Sequence, residues 1–145
     1  MKLTEQQLAV VLQASIEHAQ ERLAESGGFL PFGARGKPNG EVEFIEAVGE
    51  GRDAPLQALR GKFAAILAED AREKRILASA LVANASLPGR FGDAFDTAIV
   101  VQVEAPEFSR SIVVPYRISA GNGLRATVEL GKMIPEAAEP AVFLD

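Results

Sequence analysis

The chain contains no cysteine and no tryptophan, and it has a single histidine among its 145 residues. Without cysteine it can form neither disulfide bonds nor thiolate metal sites, and it has no cysteine nucleophile. No segment approaches the ~20 consecutive apolar residues that a membrane-spanning helix needs. The N-terminus, Met1-Lys2-Leu3-Thr4, leads into a polar stretch instead of the apolar core of a secretory signal. These absences predict a cytoplasmic protein that does not bind membranes.

A surplus of positive charge is also missing, since 15 Lys and Arg side chains face 20 Asp and Glu side chains and the net charge is -5. A negative protein repels the phosphate backbone of nucleic acids and anionic lipid surfaces. The short basic cluster at residues 72–75 includes Glu73 and follows Glu69 and Asp70, and cations are favoured at the C-terminal end of a helix. We therefore expect no nucleic-acid partner.

The composition that is present suits a folded globular protein, with 48% hydrophobic and 24% charged residues. A chain of this length buries about two thirds of the surface that its unfolded form exposes, which is enough for one core. We expect a single α+β domain over residues 1–134. A C-terminal tail over residues 135–145 is expected to pack on the domain or on a partner.

The N-terminal segment carries the clearest helix signals. Thr4 and Gln7 have the spacing of a capping box, and Leu3 and Leu8 have that of a hydrophobic staple. Apolar residues then recur at three- and four-residue intervals, and a pair of glycines provides a stop. The pattern predicts an amphipathic helix from about Thr4 to Ser26.

A β-hairpin is predicted next, because Lys37-Pro38-Asn39-Gly40 lies between two strand-like segments, 29–35 and 41–45. Proline fits the second position of the turn, and glycine can adopt the left-handed conformation that follows. Pro31 removes one donor from the ladder. The first strand is therefore expected to lie at a sheet edge or to start irregularly.

A second helix is predicted up to about Ala71, with Asp53 as its N-cap and Pro55 in its first turn. Four segments rich in Val, Ile and Ala then predict strands, at residues 76–85, 97–104, 110–119 and 124–130. Asn122-Gly123 indicates a two-residue hairpin between the last two.

The predicted order is thus α-β-β-α-β-β-β, with one more strand as an option. Consecutive hairpins imply a mainly antiparallel sheet of five to six strands, with both helices packed most simply on one face. This order is similar to the profilin-like and roadblock-type layouts, which host unrelated functions.

The hairpin segment Gly28-Phe29-Leu30-Pro31-Phe32-Gly33, together with Asn39-Gly40-Glu41, resembles the start of small uncharacterised bacterial proteins. These carry a Phe-x-Pro-Phe-Gly segment after an N-terminal helix. The resemblance extends loosely through the second helix. It implies a bacterial protein and brings no activity and no functional residue with it.

The common catalytic motifs are absent or incomplete. His18 is expected on the flank of the apolar stripe of the first helix, and no Gly-x-Ser-x-Gly elbow is present, so a Ser-His triad is not predicted. Glu41 and Glu43 share one strand face, which solvent exposure explains without a metal ion. Gly49-Glu50-Gly51 lacks a third glycine and places negative charge where a phosphate would lie. We predict no catalytic, metal-binding or cofactor-binding residues and no cofactor.

The loop at residues 87–95 contains the residue types that anchor interfaces, namely Arg90, Phe91 and Phe95. The alternative is that its aromatic rings fold back and cap the core. We regard this loop as the first candidate for a contact site.

The strands indicate a second candidate surface. Val100, Val113 and Pro115 leave the sheet face opposite the predicted core partly apolar, although such a face is usually polar when it meets solvent. We expect another copy of the chain or the C-terminal tail to cover it.

Three functions follow, the first being a non-enzymatic interaction or regulatory domain that self-associates or binds a protein partner. The second is a binding module for a small, mostly apolar ligand, and the third is an enzyme that uses carboxylates with arginines. Plain core packing is the alternative role for the aromatic residues. The candidate pocket residues are Phe29, Phe32, Phe44 and Tyr116, and the candidate arginines are Arg35, Arg90 and Arg117.

Overall fold

A computed structural model of the chain describes residues 2–49, 53–119 and 126–144. Within these residues the chain forms two helices and seven strands, so the predicted α+β class and the order of the elements are confirmed. The predicted count of five to six strands is too low, because a seventh strand forms in the segment predicted as a tail. No helix in this part of the chain is long and apolar enough to cross a membrane. The elements are α1 (Lys2–Ser26), β1 (Phe32–Gly36), β2 (Val42–Ile45), α2 (Leu56–Arg72), β3 (Ala78–Ser86), β4 (Thr97–Ala105), β5 (Phe108–Ser119), β6 (Thr127–Leu130) and β7 (Ile134–Ala137).

The seven strands form one antiparallel sheet in the order β2-β1-β3-β4-β5-β6, and β7 also pairs with β5. Beneath α1 the apolar stripe of the helix meets alternate residues of the central strands. This core contains Val11, Ile16, Ala19, Leu23, Phe32, Ala34, Ala78, Ala80, Val82, Ile99, Val101, Val103, Ala105, Val114 and Tyr116.

Neighbouring residues of β1 show that the two helices lie on opposite faces of the sheet. Phe32 belongs to the core beneath α1, whereas a Cβ atom on Gly33 would lie 3.3 Å from Leu67 Cδ1 of α2. Because successive strand residues point to opposite faces, the expectation of both helices on one face is wrong. The cause is topological. β1 lies between β2 and β3, so these two strands are parallel and α2 is the crossover that joins them.

The face beneath α2, here called the second face, is completed by other segments of the same chain. Val142 of the predicted tail is buried with Leu81 of β3 in the core of α2. The loop at 87–96 covers the end near β5, where a Cβ atom on Gly131 would lie 3.0 Å from Phe95 Cε2. The tail, the loop and α2 therefore share the covering of this face.

The outer edge of β5 pairs with two short strands because a proline interrupts the ladder. The carbonyl of Pro115 accepts the N–H of Gly131 at 2.7 Å, but proline has no N–H to donate on that side. Residues 131–133 lie opposite residues 114–115 of β5 and form a bulge that separates β6 from β7. β7 itself lies in the segment predicted as a tail.

Two predicted helix caps are wrong. α1 begins at Lys2, so Thr4 lies inside the helix, and the side chains of residues 1–4 are outside the described part of the chain. α2 begins at Leu56 after Pro55, without a side-chain hydrogen bond at its cap, so Asp53 is not the N-cap. The proline ring fixes φ at the entry to the helix instead.

The strand predictions hold with small shifts. β1 starts directly after Pro31 and lies between β2 and β3, which confirms the irregular start and excludes the edge position. Gly40 adopts a φ of 91° and donates its N–H to the carbonyl of Lys37 at 2.9 Å, so the hairpin turn forms as expected. Asn122-Gly123 lies outside the described residues.

Candidate functional site

A cavity of about 710 Å³ opens between the C-terminal end of α2, the start of β3, the turn between β4 and β5, and the C-terminal segment. Its walls are mostly small or branched apolar side chains. The lining residues are Ala68, Ala71, Arg72, Lys74, Ile76, Leu77, Pro106, Val142, Phe143 and Leu144.

The first wall is built by the way α2 ends. Arg75 donates its N–H to the carbonyl of Asp70 at 2.9 Å, and Lys74 donates its N–H to the carbonyl of Ala71 at 3.1 Å. This bond pattern is a Schellman motif, which requires a left-handed residue that is usually glycine. Here Lys74 takes that position with a φ of 58°. The motif reverses the chain and brings Lys74, Ile76 and Leu77, which precede β3, to the cavity.

The opposite wall is held by a buried carboxylate. Glu104 is 1% exposed, and its Oε1 accepts the backbone N–H groups of Ala141, Val142 and Phe143 at 3.0, 3.0 and 3.2 Å. Successive backbone amides that converge in this way form a nest for an anion. The carboxylate of Glu104 fills the nest and fixes the segment that lines the cavity.

Further polar contacts connect this carboxylate to α2. Gln102 donates from Nε2 to Glu104 Oε2 at 3.0 Å and to the carbonyl of Glu139 at 2.8 Å. Arg60 of α2 donates to the Oε1 of Gln102. We call Arg60, Gln102, Glu104 and the bound residues 139–143 the tail clamp. It joins α2, β4 and the C-terminal segment into one unit.

The cavity is apolar with a positive rim. Among the described residues that line it, Arg72 and Lys74 are charged and none is acidic. Arg72 forms an ion pair with Glu69 of the same helix, whereas Lys74 forms none within the described chain. Nor do the described residues contain a group of three His, Cys, Asp or Glu side chains that could hold a metal ion. Apart from these two cations, the described lining of the cavity is apolar.

A second polar group surrounds the single histidine. His18 Nε2 lies 3.0 Å from Glu46 Oε1, and Arg22 binds both oxygens of that carboxylate at 3.0 and 2.9 Å. The His18 ring stacks on Phe44 with 4.1 Å between ring centres. Burial alone would raise the pKa of Glu46, but His18 and Arg22 outweigh it and lower the pKa. Through these bonds His18 and Arg22 connect α1 to Glu46, which directly follows β2. Within the described residues the histidine bonds to no hydroxyl.

A third polar group joins β1 to α2. The carboxylate of Asp70 accepts hydrogen bonds from Arg35 Nε at 2.7 Å and from Arg75 Nε at 2.9 Å. Burial alone would raise the pKa of Asp70, but these two arginines outweigh it and hold the pKa below its usual value. Glu43 binds Arg35 from the other side at 2.7 Å. Arg35, one of the arginines considered for catalysis, is thus already paired with carboxylates.

The predicted contact loop lies against the sheet. The guanidinium group of Arg117 is 5.7 Å from the centre of the Phe95 ring, on the second face. Arg90 forms an ion pair with Glu136 of β7 and lies 5.5 Å from the centre of the Phe91 ring. The aromatic residues of the loop are half-buried rather than free. A contact role for Arg90, Phe91 and Phe95 stays a prediction.

The three predicted contact residues of the sheet lie on the same face as this loop. Val113 and Pro115 are buried, and Val100 is half-buried. In this conformation only Val100 offers part of its side chain to a partner. Their contact role also stays a prediction.

The predicted pocket aromatics do not share one pocket. Phe32 and Tyr116 are buried in the core beneath α1, and Phe44 stacks on His18. Phe29 lines a smaller cavity of about 390 Å³ between the end of α1 and the end of β2. Core packing therefore accounts for most of this set.

The sequence did not single out Glu104 or Lys74 as site residues. The available signal for Glu104 is a carboxylate within the apolar run of β4, between Val103 and Ala105. No local signal marks Lys74, because its conformation depends on where α2 ends. Comparison with protein-family models, with curated proteins and with solved structures finds no significant match to this chain.

Proposed function

We propose that the chain is a binding module for a small, mostly apolar ligand, which occupies the cavity between α2, β3 and the tail clamp. The observation that carries this proposal is the cavity itself, with a volume of about 710 Å³ and a mainly apolar lining. Ligand pockets typically have volumes of roughly 300–1,000 Å³ and apolar walls with a few polar groups.

The tail clamp supports the proposal because it holds one wall of the cavity in place through a buried carboxylate. Burying a carboxylate is unfavourable unless hydrogen bonds satisfy it. Besides the bond from Gln102, Glu104 accepts the backbone N–H groups of residues 141–143, so the buried carboxylate favours the conformation in which these residues lie in place. A wall positioned in this way is preorganised, which lowers the entropy that a ligand would lose on binding.

The other two functions have less support from the geometry. The apolar second face, which motivated self-association, is covered by α2, the tail and the loop at 87–96 of the same chain. Self-association stays a prediction, which light scattering across micromolar concentrations tests. For an enzyme, acid–base chemistry needs a titratable group at the site. Among the described residues that line the cavity there is no carboxylate and no histidine.

Binding of the neutral, fluorescent probe Nile red tests the proposal. Ala71 lines the cavity, so Ala71→Trp fills it, whereas Ala65→Trp adds the same side chain at an exposed position of α2. We expect the wild type and Ala65→Trp to bind the probe equally. Ala71→Trp is expected to bind at least about tenfold more weakly, the effect of losing 1.4 kcal/mol.

Circular dichroism and thermal unfolding verify that both variants are folded. Nuclear magnetic resonance shifts on the wild type then locate the probe, which is expected at Ile76, Leu77 and Val142. Equal binding by both tryptophan variants, or shifts confined to another surface, would contradict the proposal.

A further inference from the structure

We infer that the ligand of this cavity is a single-chain amphiphile with an anionic head group, held with its chain on the apolar walls and its head at Lys74 and Arg72. This inference rests on the proposed function. It adds the chemical class of the ligand, which charge, backbone conformation and wall chemistry determine together.

The charge at the cavity opposes the charge of the whole chain. The net charge is -5, yet the charged residues among those described in the lining are two cations. Arg72 shares its charge with Glu69, and exposed ion pairs of this kind contribute little to stability. Arg72 can therefore turn to an anion at little cost. Lys74 has no such partner among the described residues and is available directly.

The backbone at Lys74 is a second, independent observation. Its φ of 58° lies in the left-handed region, where a residue with a side chain is less stable than glycine. Non-glycine residues in this conformation concentrate at functional sites. A lysine at the glycine position of a Schellman motif, beside an apolar cavity, indicates that its ammonium group is used there.

The end of a helix usually repels anions because its carbonyl groups are free. Here the carbonyls of Glu69, Asp70 and Ala71 accept the backbone N–H groups of residues 73–75. Local hydrogen bonds thus occupy three of the carbonyl oxygens at the end of α2. An anionic head group at Lys74 meets fewer free carbonyls than at a helix end without these bonds.

The walls favour an aliphatic chain over an aromatic ring. Most are small or branched residues such as Ala68, Ala71, Ile76 and Leu77, and Phe143 is the single aromatic ring in the described lining. Aromatic ligands are usually recognised by offset or edge-to-face contacts with several rings. A flexible alkyl chain instead follows a wall of methyl groups and gains binding free energy with each CH₂ that it buries.

Calorimetric titration of the full chain with decanoate and with decanol, both below micelle concentrations, tests the inference. We expect decanoate to bind about five- to tenfold more tightly than decanol, as one partly exposed charge pair predicts. Added salt is expected to weaken the binding of decanoate but not that of decanol.

Lys74→Met keeps the length of the side chain and removes its charge. It is expected to weaken the binding of decanoate and so to reduce the ratio of decanoate affinity to decanol affinity. Lys62→Met, at an exposed position of α2 outside the cavity lining, is the matched control and is expected to retain the preference.

The possible failures separate the two proposals. Equal affinity of the wild type for decanoate and decanol overturns the anionic class but leaves the binding module standing. Absence of binding to either compound and to Nile red overturns the proposed function as well. Sedimentation with anionic vesicles distinguishes a membrane surface from a free amphiphile. Binding to vesicles without binding to decanoate would also overturn the inference.

Discussion

Glu104 and Val142 are joined by a 3.0 Å hydrogen bond from the backbone N–H of Val142 to Oε1 of Glu104, across 38 residues of sequence. The same oxygen accepts the amides on either side of Val142. One buried carboxylate therefore positions the C-terminal segment, which in turn forms a wall of the cavity.

Replacing Glu104 by glutamine is expected to release the tail. Glutamine has the same size, but it lacks the negative charge and its NH₂ group would face amide donors. Hydrogen bonds to buried charged groups are strong, so we expect the free energy of unfolding to fall by about 2–4 kcal/mol. Urea denaturation measures this loss.

Limited proteolysis then shows whether the segment after Pro140 is cleaved sooner in this variant. Glu107→Gln, in the exposed turn three residues later, is the control and is expected to change stability by less than about 0.5 kcal/mol. An unchanged tail in Glu104→Gln would show that apolar contacts of Val142 suffice to hold it.

Asp70→Asn is expected to destabilise the chain by about 1–3 kcal/mol at neutral pH, because it weakens two charge-assisted hydrogen bonds to Arg35 and Arg75. The effect depends on pH with a definite sign. The pKa of Asp70 is lowered in the folded chain, so its carboxylate stabilises the fold above the unfolded pKa. This stabilisation is lost as the pH falls through the folded pKa.

The difference in stability between the wild type and Asp70→Asn is therefore expected to shrink below about pH 4. Denaturation curves from about pH 3 to about pH 7 measure the difference on both sides of the unfolded pKa of aspartate. Asp93→Asn, in an exposed loop, controls for the loss of one charge. A difference that grows towards acid pH would contradict the assignment.

Two glycines are expected to respond in opposite directions to alanine. A Cβ atom on Gly36 would lie 2.7 Å from Val11 Cγ2 and 3.0 Å from the carbonyl of Ala78, so Gly36→Ala overpacks the contact between α1 and the sheet. We expect a loss of about 1–3 kcal/mol. Gly61 lies on the exposed side of α2 with open space around it, and Gly61→Ala is expected to add about 0.5–1 kcal/mol. Thermal unfolding of both variants gives the comparison.

Lys74→Gly is expected to raise the free energy of unfolding by about 0.5–1 kcal/mol, because glycine adopts the left-handed conformation without strain. Lys74→Ala keeps the strain and is expected to bring no gain. Chemical denaturation measures both. A stability increase in the alanine variant would mean that the charge of the lysine, and not its backbone, opposes folding.

Local patterns were enough to predict most elements of this fold. Both helices and the strands up to β6 follow from apolar periodicity and turn residues. β7 was missed because Pro135 marks it as irregular, although proline is tolerated at a sheet edge. The sheet face on which α2 lies could not be predicted from consecutive hairpins. It depends on β3 pairing with β1 and not with β2.

The candidate site was less accessible to prediction because its parts are distant in sequence. Glu104 and the amides it binds are 37 to 39 residues apart. The left-handed conformation of Lys74 arises from the Schellman motif, which glycine normally signals. The aromatic residues that the sequence suggested as pocket residues pack mainly in the core, as Phe32 and Tyr116 show.

The break at Pro115 also affects how the chain behaves when crowded. An uninterrupted outer strand offers a row of unpaired backbone groups on which another molecule can add a strand, and such growth leads to fibres. Here that side of the sheet consists of β6 and β7, each four residues long, separated by a bulge and with Pro135 in the second. Among the residues that the structure describes on this side, the ladder is not continuous. By dividing this edge, Pro115 shortens the ladder that a second molecule could extend on this side.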